Sequence, residues 1–162
     1  SFADQDALDI LQPGDTVEIE EGDYWEDITT MVDGTVEEPI TIRGSGDVSE
    51  IRLRGSDDND YRLMHIRHDN YIVEGFTIDG MVRETDSINY QTDIRNKLLY
   101  VLPEREHTER SGGYRSALDG LVVRNMVLKN AGGECLRLRY FVTNAEIYDN
   151  EITNCGIYDF VY

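Results

Sequence analysis

The chain has 162 residues, enough for one domain, and its 40% hydrophobic content permits a buried core. A formal net charge of −18 argues against nucleic-acid phosphates and against an anionic membrane surface as binding partners. There is no apolar run of membrane-spanning length, and the first ten residues lack the basic and apolar regions of a secretory leader, as expected of a mature secreted chain.

The first fifteen residues predict a short helix that ends before the first strand. The apolar residues between Ala7 and Leu11 place three apolar groups on one side, and Pro13-Gly14-Asp15 then stops the helix. We expect residues 1–15 to cap the end of the fold that follows, because an uncovered end would leave backbone groups unpaired.

Short strands with a recurring spacing follow. Three copies of one apolar pattern keep the same internal gap of five residues: Val73/Ile78, Val123/Leu128 and Ile147/Ile152. A second series has its apolar residues two apart, at steps near 24 or a multiple of it: Val17/Ile19, Ile40/Ile42, Met64/Ile66, Leu136/Leu138 and Phe160/Tyr162. Such a period, with Asn, Asp and Gly at the turns, predicts an all-β parallel β-helix of about 24 residues per coil over residues 16–162.

Residues 81–117 interrupt this rhythm. Only residues 98–102 read as a strand, and the polar stretches on both sides are too long for coil turns. The 50 residues from Val73 to Val123 fit two coils or one coil with an excursion. Long loops on a rigid scaffold often carry function, although a solvated excursion explains the stretch equally well.

A row of basic residues is predicted on the outer face of the strands. Taking the second series as aligned places Arg43 beside Arg67, with His65 next to them and Arg137 and Arg139 further along, since adjacent strands lie about 4.8 Å apart. The four arginines are the candidate substrate-binding residues for an acidic polysaccharide, and His65 is the candidate for proton transfer because imidazole titrates near neutrality. The alternative is that the arginines pair with some of the 33 acidic residues of the chain.

An oxygen-rich turn at residues 57–60 is a candidate cation site. Asp57, Asp58 and Asp60 supply hard oxygen ligands of the kind that calcium prefers. Their spacing is not that of an EF-hand loop, and a solvated acidic turn is the alternative.

The two cysteines, Cys135 and Cys155, are expected to be free thiols. The 24-residue spacing places Cys155 opposite Ala131, four residues from Cys135. A disulfide requires Cα atoms closer than about 7 Å, so the offset argues against one.

Several stretches together resemble a known family. LQPGDTVEIEEGDY, EEPITIRG, EIRLRG and YRLMHIRHDNYIVEGFTIDG resemble the opening coils of right-handed parallel β-helix proteins of the pectate-lyase-like superfamily, and most closely the polysaccharide lyases of the chondroitinase-B/alginate-lyase type. GGECLRLRYFVTNAEIYDNEITNCGIYDF resembles a continuing coil. The resemblance implies β-elimination on an acidic polysaccharide, with a Lys/Arg pair and calcium-binding acidic residues. Neither Lys97 nor Lys129 lies on the predicted outer row, so the catalytic set is expected beyond this segment.

Two functions follow from these observations. The first is an extracellular polysaccharide lyase or glycoside hydrolase, of which this chain is the N-terminal part. The second is a non-catalytic structural or adhesive module of a larger extracellular assembly. Because the chain ends within an apolar strand, IYDFVY, further coils or another chain are expected to continue the stack at that end.

Overall fold

The computed structural model describes residues 5–55, 62–82, 93–103 and 117–157, and these form successive coils of short strands. A short helix, α1 (Gln5–Asp9), precedes the first coil. The first three coils contain β1 (Thr16–Ile19), β2 (Gly22–Tyr24), β3 (Ile28–Thr29), β4 (Ile40–Gly44), β5 (Ile51–Leu53), β6 (Arg62–Ile66), β7 (Tyr71–Glu74), β8 (Thr77–Asp79) and β9 (Lys97–Val101). The last two contain β10 (Leu118–Asp119), β11 (Val122–Arg124), β12 (Val127–Ala131), β13 (Leu136–Leu138), β14 (Val142–Thr143), β15 (Glu146–Tyr148) and β16 (Glu151–Cys155).

The strands stack into three long parallel sheets, one on each face of the coil. Sheet A has the order β1-β4-β7-β11-β15, sheet B the order β16-β12-β8-β5-β2 and sheet C the order β13-β9-β6-β3, while β10 and β14 form a small fourth sheet. Each pairing between these strands is parallel and joins one coil to the next. The predicted parallel β-helix is therefore confirmed.

The core consists of columns of apolar residues that repeat from coil to coil. Alternate residues of each strand point inward, and the residues of one column are neighbours in the sheet. The central column of sheet A contains Val17, Ile42, Val73, Val123 and Ile147. The first four are buried, whereas Ile147 in the fifth coil is 38% exposed. Each buried aliphatic side chain contributes about 1.5–3 kcal/mol, so the first four coils carry most of the apolar stabilisation.

The predicted helix lies against the first coil. Leu8 is buried and belongs to the same hydrophobic core as the strands, and Leu11 packs partly against it. Ile10 points away and is largely exposed. The helix thus extends the core by one layer through Leu8.

One of the two predicted series is right and the other is partly wrong. Val73, Val123 and Ile147 pair in sheet A as predicted, and Ile78, Leu128 and Ile152 pair in sheet B. The Ile40/Ile42 pair of β4 lies in sheet A, however, whereas Met64/Ile66 of β6 lies in sheet C. Val17 pairs with Ile42 rather than Ile40. Phe160 and Tyr162 lie outside the described residues.

The segment between Val73 and Val123 is a single coil with two long connections. Strand β7 pairs directly with β11, although Glu74 and Arg124 of these strands are 50 residues apart. The predicted strand at 98–102 is present as β9, which pairs with β6 on one side and β13 on the other. Residues 83–92 and 104–116, which form much of the two connections, lie outside the described residues.

The expectation of two free thiols is wrong, because Cys135 and Cys155 form a disulfide with their Cα atoms 5.6 Å apart. The predicted register itself is confirmed, since Ala131 pairs with Cys155. The chain turns a corner at Gly132-Gly133 between sheets B and C. Because of this bend, the four residues from Ala131 to Cys135 span a shorter distance in space than four residues of a straight strand, and Cys135 stays close enough to Cys155 to bond with it.

Asparagine side chains stack at the same corner. The Asn154 amide donates a hydrogen bond of 2.9 Å to the Asn130 side-chain oxygen, and the Asn130 amide donates one of 2.8 Å to Asp79. Both asparagines have a positive φ, which Asn tolerates better than most residues. This ladder aligns coils three, four and five where sheet B ends.

Candidate functional site

A column of polar residues runs along sheet C beside the apolar core columns. Thr29, His65, Tyr100 and Arg137 are successive register partners on β3, β6, β9 and β13. Tyr100 is 1% exposed, yet it does not belong to the hydrophobic core of the coil. Its burial therefore arises among polar and charged neighbours.

Tyr100 is surrounded by cationic side chains. Arg139 donates a hydrogen bond of 2.9 Å from Nη1 to the Tyr100 hydroxyl. The Arg62 guanidinium carbon lies 4.5 Å from the ring centroid and Lys97 Nζ lies 5.3 Å from it, both in the range of cation–π attraction. The ring of His65 meets the Tyr100 ring edge-on, with centroids 5.6 Å apart. We call these five residues the Tyr100 cluster.

Glu134 fixes two cations at the rim of the Tyr100 cluster. Its carboxylate forms an ion pair of 3.1 Å with Lys97 Nζ and a hydrogen-bonded ion pair with Arg137. Partial burial raises the pKa of Glu134, but the hydrogen bonds and charges of Lys97 and Arg137 outweigh it and leave the pKa below its usual range. Glu134 is therefore ionised at neutral pH and holds both cations in place.

Arg139 connects Tyr100 to an exposed aromatic residue. Besides its bond to Tyr100, it donates a hydrogen bond of 2.6 Å from Nη2 to the hydroxyl of Tyr140. The hydrogen bonds with Tyr100 and then with Tyr140 raise the pKa of Arg139 above its already high value. The guanidinium thus stays charged, and its orientation is fixed from both sides.

The structure brings four of the five outer-row residues onto sheet C and separates one. His65 lies on β6 and Arg137 on β13, while Arg67 and Arg139 follow these two strands directly. Arg43 lies on β4 of sheet A, so its predicted position beside Arg67 is wrong. The error follows from aligning Ile40/Ile42 with Met64/Ile66, which belong to different faces of the coil.

The surroundings of Arg43 and Arg67 differ accordingly. Arg43 forms an exposed ion pair of 3.1 Å with Glu18 on the neighbouring strand, as the alternative interpretation of the arginines suggested. The Arg67 backbone N–H donates a hydrogen bond of 2.9 Å to the buried Thr30 hydroxyl, which fixes the chain where it leaves β6. The backbone of Arg67 therefore has a defined position where the chain leaves β6, two residues after His65 of the polar column.

Three residues of the Tyr100 cluster were not predicted: Arg62, Lys97 and Tyr100. Lys97 pairs with Arg62 at the start of β9, outside the His65–Tyr100–Arg137 row, and its ammonium group contacts the Tyr100 ring. The sequence does contain a signal that these two strands are neighbours. RLMHI at 62–66 and KLLYV at 97–101 both begin with a cation and a leucine, and both have apolar residues at the third and fifth positions.

The described part of the chain contains no group of three or more His, Cys, Asp or Glu side chains suited to a metal ion. Asp57, Asp58 and Asp60 lie outside the described residues. At the Tyr100 cluster itself, Glu134 is engaged by Lys97 and Arg137, so the described residues do not fit calcium there.

The Tyr100 cluster has the chemical components for handling a carboxylated substrate. Arg137 and Arg139 are only partly buried, and guanidinium groups bind carboxylates through two parallel hydrogen bonds. Tyrosine and histidine side chains both donate and accept protons. Cations and proton-transfer groups within a few ångströms of each other are the usual composition of a polar active site.

Comparison with known proteins supports the fold. No protein-family model matches the sequence, and no curated protein matches it. Among solved structures, the chain is similar to an alginate lyase from Paenibacillus sp. strain FPU-7, with a TM-score of 0.59 and 18% sequence identity. The match covers 94% of this chain but only 42% of that enzyme. Among the described residues, no helix has the length and hydrophobicity that a membrane span requires. At this level of identity the comparison establishes a shared β-helical fold.

Proposed function

We propose that this protein is a secreted polysaccharide-lyase-like β-helix of the pectate-lyase-like superfamily, related to the chondroitinase-B/alginate-lyase type. It binds an acidic polysaccharide along sheet C and cleaves it at the Tyr100 cluster. The observation that carries the proposal is the Tyr100 hydroxyl, which is bound by Arg139 and flanked by Lys97, Arg62 and His65. The similarity in fold to an alginate lyase supports the same substrate class.

The proposed reaction is β-elimination. A base removes the proton from the carbon next to the uronate carboxylate, and that electron pair forms a carbon–carbon double bond. The glycosidic C–O bond breaks, and the leaving oxygen takes a proton from an acid. The step needs a cation to stabilise the charge that develops on the carboxylate, and it needs one group for each proton transfer.

Arg139 and Arg137 are proposed to bind the carboxylate. Both lie on or directly after β13, and both are only partly buried, so a substrate reaches them from the outer face of sheet C. Arg139 is oriented by its two tyrosine hydroxyls and Arg137 by Glu134, so neither has to be ordered when the substrate binds. Ordering these side chains in advance reduces the entropic cost of binding.

Tyr100 and His65 are proposed to transfer the protons. They are register partners on adjacent strands, and the edge-on contact between their rings places them within reach of one sugar unit. Arg139 donates to the Tyr100 oxygen, which leaves the hydroxyl hydrogen free to point elsewhere. Lys97 and Arg62 add positive charge on the ring side of the same residue.

A non-catalytic β-helix module is the second candidate. It is favoured by the burial of Tyr100, which is 1% exposed, and by the pairing of Lys97 with Glu134. In that case the Tyr100 cluster fastens coils two, three and four together, and Arg137 and Arg139 bind a glycan without cleaving it. The two candidates differ in whether a double bond appears in the product.

The disulfide supports an extracellular location for either candidate. Disulfides persist in oxidising compartments and are rare in the reducing cytosol. The Cys135–Cys155 bond joins two neighbouring coils, which is a structural use of a disulfide. We therefore propose that the protein is exported.

The decisive experiment follows the ultraviolet absorbance of unsaturated uronates while the protein is mixed with alginate, chondroitin or pectate. The lyase proposal expects a rise with at least one substrate. Tyr100→Phe keeps the ring and its cation contacts but removes the hydroxyl, and it should lower the rate about a hundredfold or more. Arg43→Ala, on sheet A, is the matched control and should leave the rate unchanged.

Binding is measured in parallel by affinity electrophoresis in gels that contain the same polysaccharides. Retention that is lost in the Arg137→Ala/Arg139→Ala double variant, without any absorbance change, identifies the non-catalytic module. If none of the three polysaccharides retards the protein in the gel and none is cleaved by it, the protein does not act on or bind these polysaccharides. Both candidates are then refuted.

A further inference from the structure

Two adjacent aromatic residues project from the connection between β13 and β14. Tyr140 is 41% exposed and Phe141 is 68% exposed. Leu138, the last residue of β13, is also partly exposed beside them. We call Tyr140 and Phe141 the aromatic shelf.

The backbone of the aromatic shelf is unusual for its side chains. Tyr140 and Phe141 have φ angles of 52° and 50°, in the left-handed region that bulky residues avoid. Every other non-glycine residue of the described chain with a positive φ is an asparagine or aspartate, the residue types that tolerate this region. Asn or Gly would form this turn with less backbone strain, so the conformation of the turn does not account for the presence of two aromatic residues in it. Strained residues of this kind concentrate at functional sites.

The aromatic shelf is joined to the Tyr100 cluster by one guanidinium group. Arg139 bonds Tyr100 through Nη1 and Tyr140 through Nη2, and its guanidinium carbon lies 4.6 Å from the Tyr140 ring centroid. The shelf follows the fourth-coil strand, which is the neighbour of the third-coil strand that carries Tyr100. Neighbouring strands are about 4.8 Å apart, so a chain of sugar units lying along sheet C passes from the cluster to the shelf.

We propose that the aromatic shelf is a stacking subsite for one pyranose ring of an acidic polysaccharide, and that the carboxylate of the bound chain is turned toward Arg139. A pyranose has an apolar C–H face and a polar edge, which match an exposed aromatic face beside a charged guanidinium. This inference rests on the proposed function and adds the residues that position the sugar chain next to the site of cleavage.

The test uses two substitutions at Phe141 and a control elsewhere. Phe141→Ala removes the ring and keeps the left-handed strain, whereas Phe141→Gly removes both. Tyr148→Ala is the control, since Tyr148 is 40% exposed on β15 of sheet A, away from sheet C. Calorimetric titration with alginate oligosaccharides should show about tenfold weaker binding for both Phe141 variants and no change for the control. Phe141→Gly should also raise the melting temperature by about 2 °C, and Phe141→Ala should not.

The outcomes separate the aromatic shelf from the proposed function. If the unmodified chain binds the oligosaccharides and both Phe141 variants bind them equally well, the shelf is overturned and the proposed function stands. If the unmodified chain binds no acidic oligosaccharide, both fail. If the variants alter only self-association, measured by analytical ultracentrifugation, the shelf is a contact between copies of the chain and the subsite is refuted.

Discussion

The Cys135–Cys155 disulfide is expected to stabilise the fifth coil rather than the whole stack. It joins residues 20 apart in sequence, and the chain-entropy model assigns a loop of that length about 3 kcal/mol. Coils of a solenoid contact only their neighbours, so a loss at one end is felt locally. The fifth coil is the least buried, since Ile147 and Ile152 occupy core columns yet are 38% and 45% exposed. The disulfide therefore supplies stability that apolar packing does not.

The perturbation is the Cys135→Ser/Cys155→Ser double variant, and the assay is amide hydrogen exchange followed by mass spectrometry. A loss of about 3 kcal/mol in local opening free energy corresponds to roughly a hundredfold faster exchange in residues 142–157. Peptides from β6 to β8 should keep their protection. Adding reductant to the double variant is the control and should change nothing further. Unchanged exchange in residues 142–157, or an equal rise in the second coil, would refute the local role of the disulfide.

Two further substitutions test the stacking of the coils. Burial, followed by repulsion from Asp33 and Asp119, raises the pKa of Asp69. The folded protein therefore favours the protonated carboxyl group, and stability is lost as the pH rises through that pKa. Asp69→Asn keeps an acceptor for the Asp119 N–H and should raise the melting temperature at pH 7 by about 2 °C. The gain should vanish below about pH 4, where the aspartate is itself protonated. A gain that persists in acid would contradict this cause. Gly80→Ala should destabilise by about 3 kcal/mol in denaturant unfolding, because the new Cβ would overlap the backbone oxygen of Asn130 on the next coil, and an unaffected midpoint would show that the coils can move apart freely.

The fold could be predicted because coil registers leave a trace in sequence wherever the corners have constant length. Between β11 and β15 nothing is inserted, and Arg124 and Tyr148 stand 24 residues apart. Between β1 and β4 the step is 25 residues, as Glu18 and Arg43 show. The step varies further along the chain, so a fixed period of 24 eventually connects strands of different sheets.

The placement of Arg43 failed for that reason. All three long sheets have inward-pointing apolar residues two apart, so Ile40/Ile42 and Met64/Ile66 look identical although they lie on different faces. Apolar alternation establishes that a residue points inward and does not establish which face of the coil carries it. That information resides in the length of the corners, which side-chain patterns do not encode.

Lys97 and Tyr100 were missed for a different reason. They lie in a stretch whose flanking segments are long and polar, and the KLLYV sequence of β9 does not alternate between apolar and polar residues. Burial of its outward residues depends on neighbours from other coils, such as Arg62 and Arg139. Such a tertiary environment becomes visible only when the register is known.

The charge of the protein constrains how the proposed site works. A formal net charge of −18 repels a polyanion at long range, whereas the cationic groups of the Tyr100 cluster and Arg137 attract it only at contact. Salt at physiological strength screens exposed charges beyond about 8 Å and acts much less on partly buried pairs. Moderate salt should therefore weaken the long-range repulsion more than the short-range attraction. We expect the protein to associate with a polyanion faster at moderate than at low ionic strength, whereas a basic polyanion-binding protein associates more slowly as salt is added. Recognition then depends on Arg137 and Arg139 being held in position by Glu134, Tyr100 and Tyr140, because no long-range field guides the substrate to them.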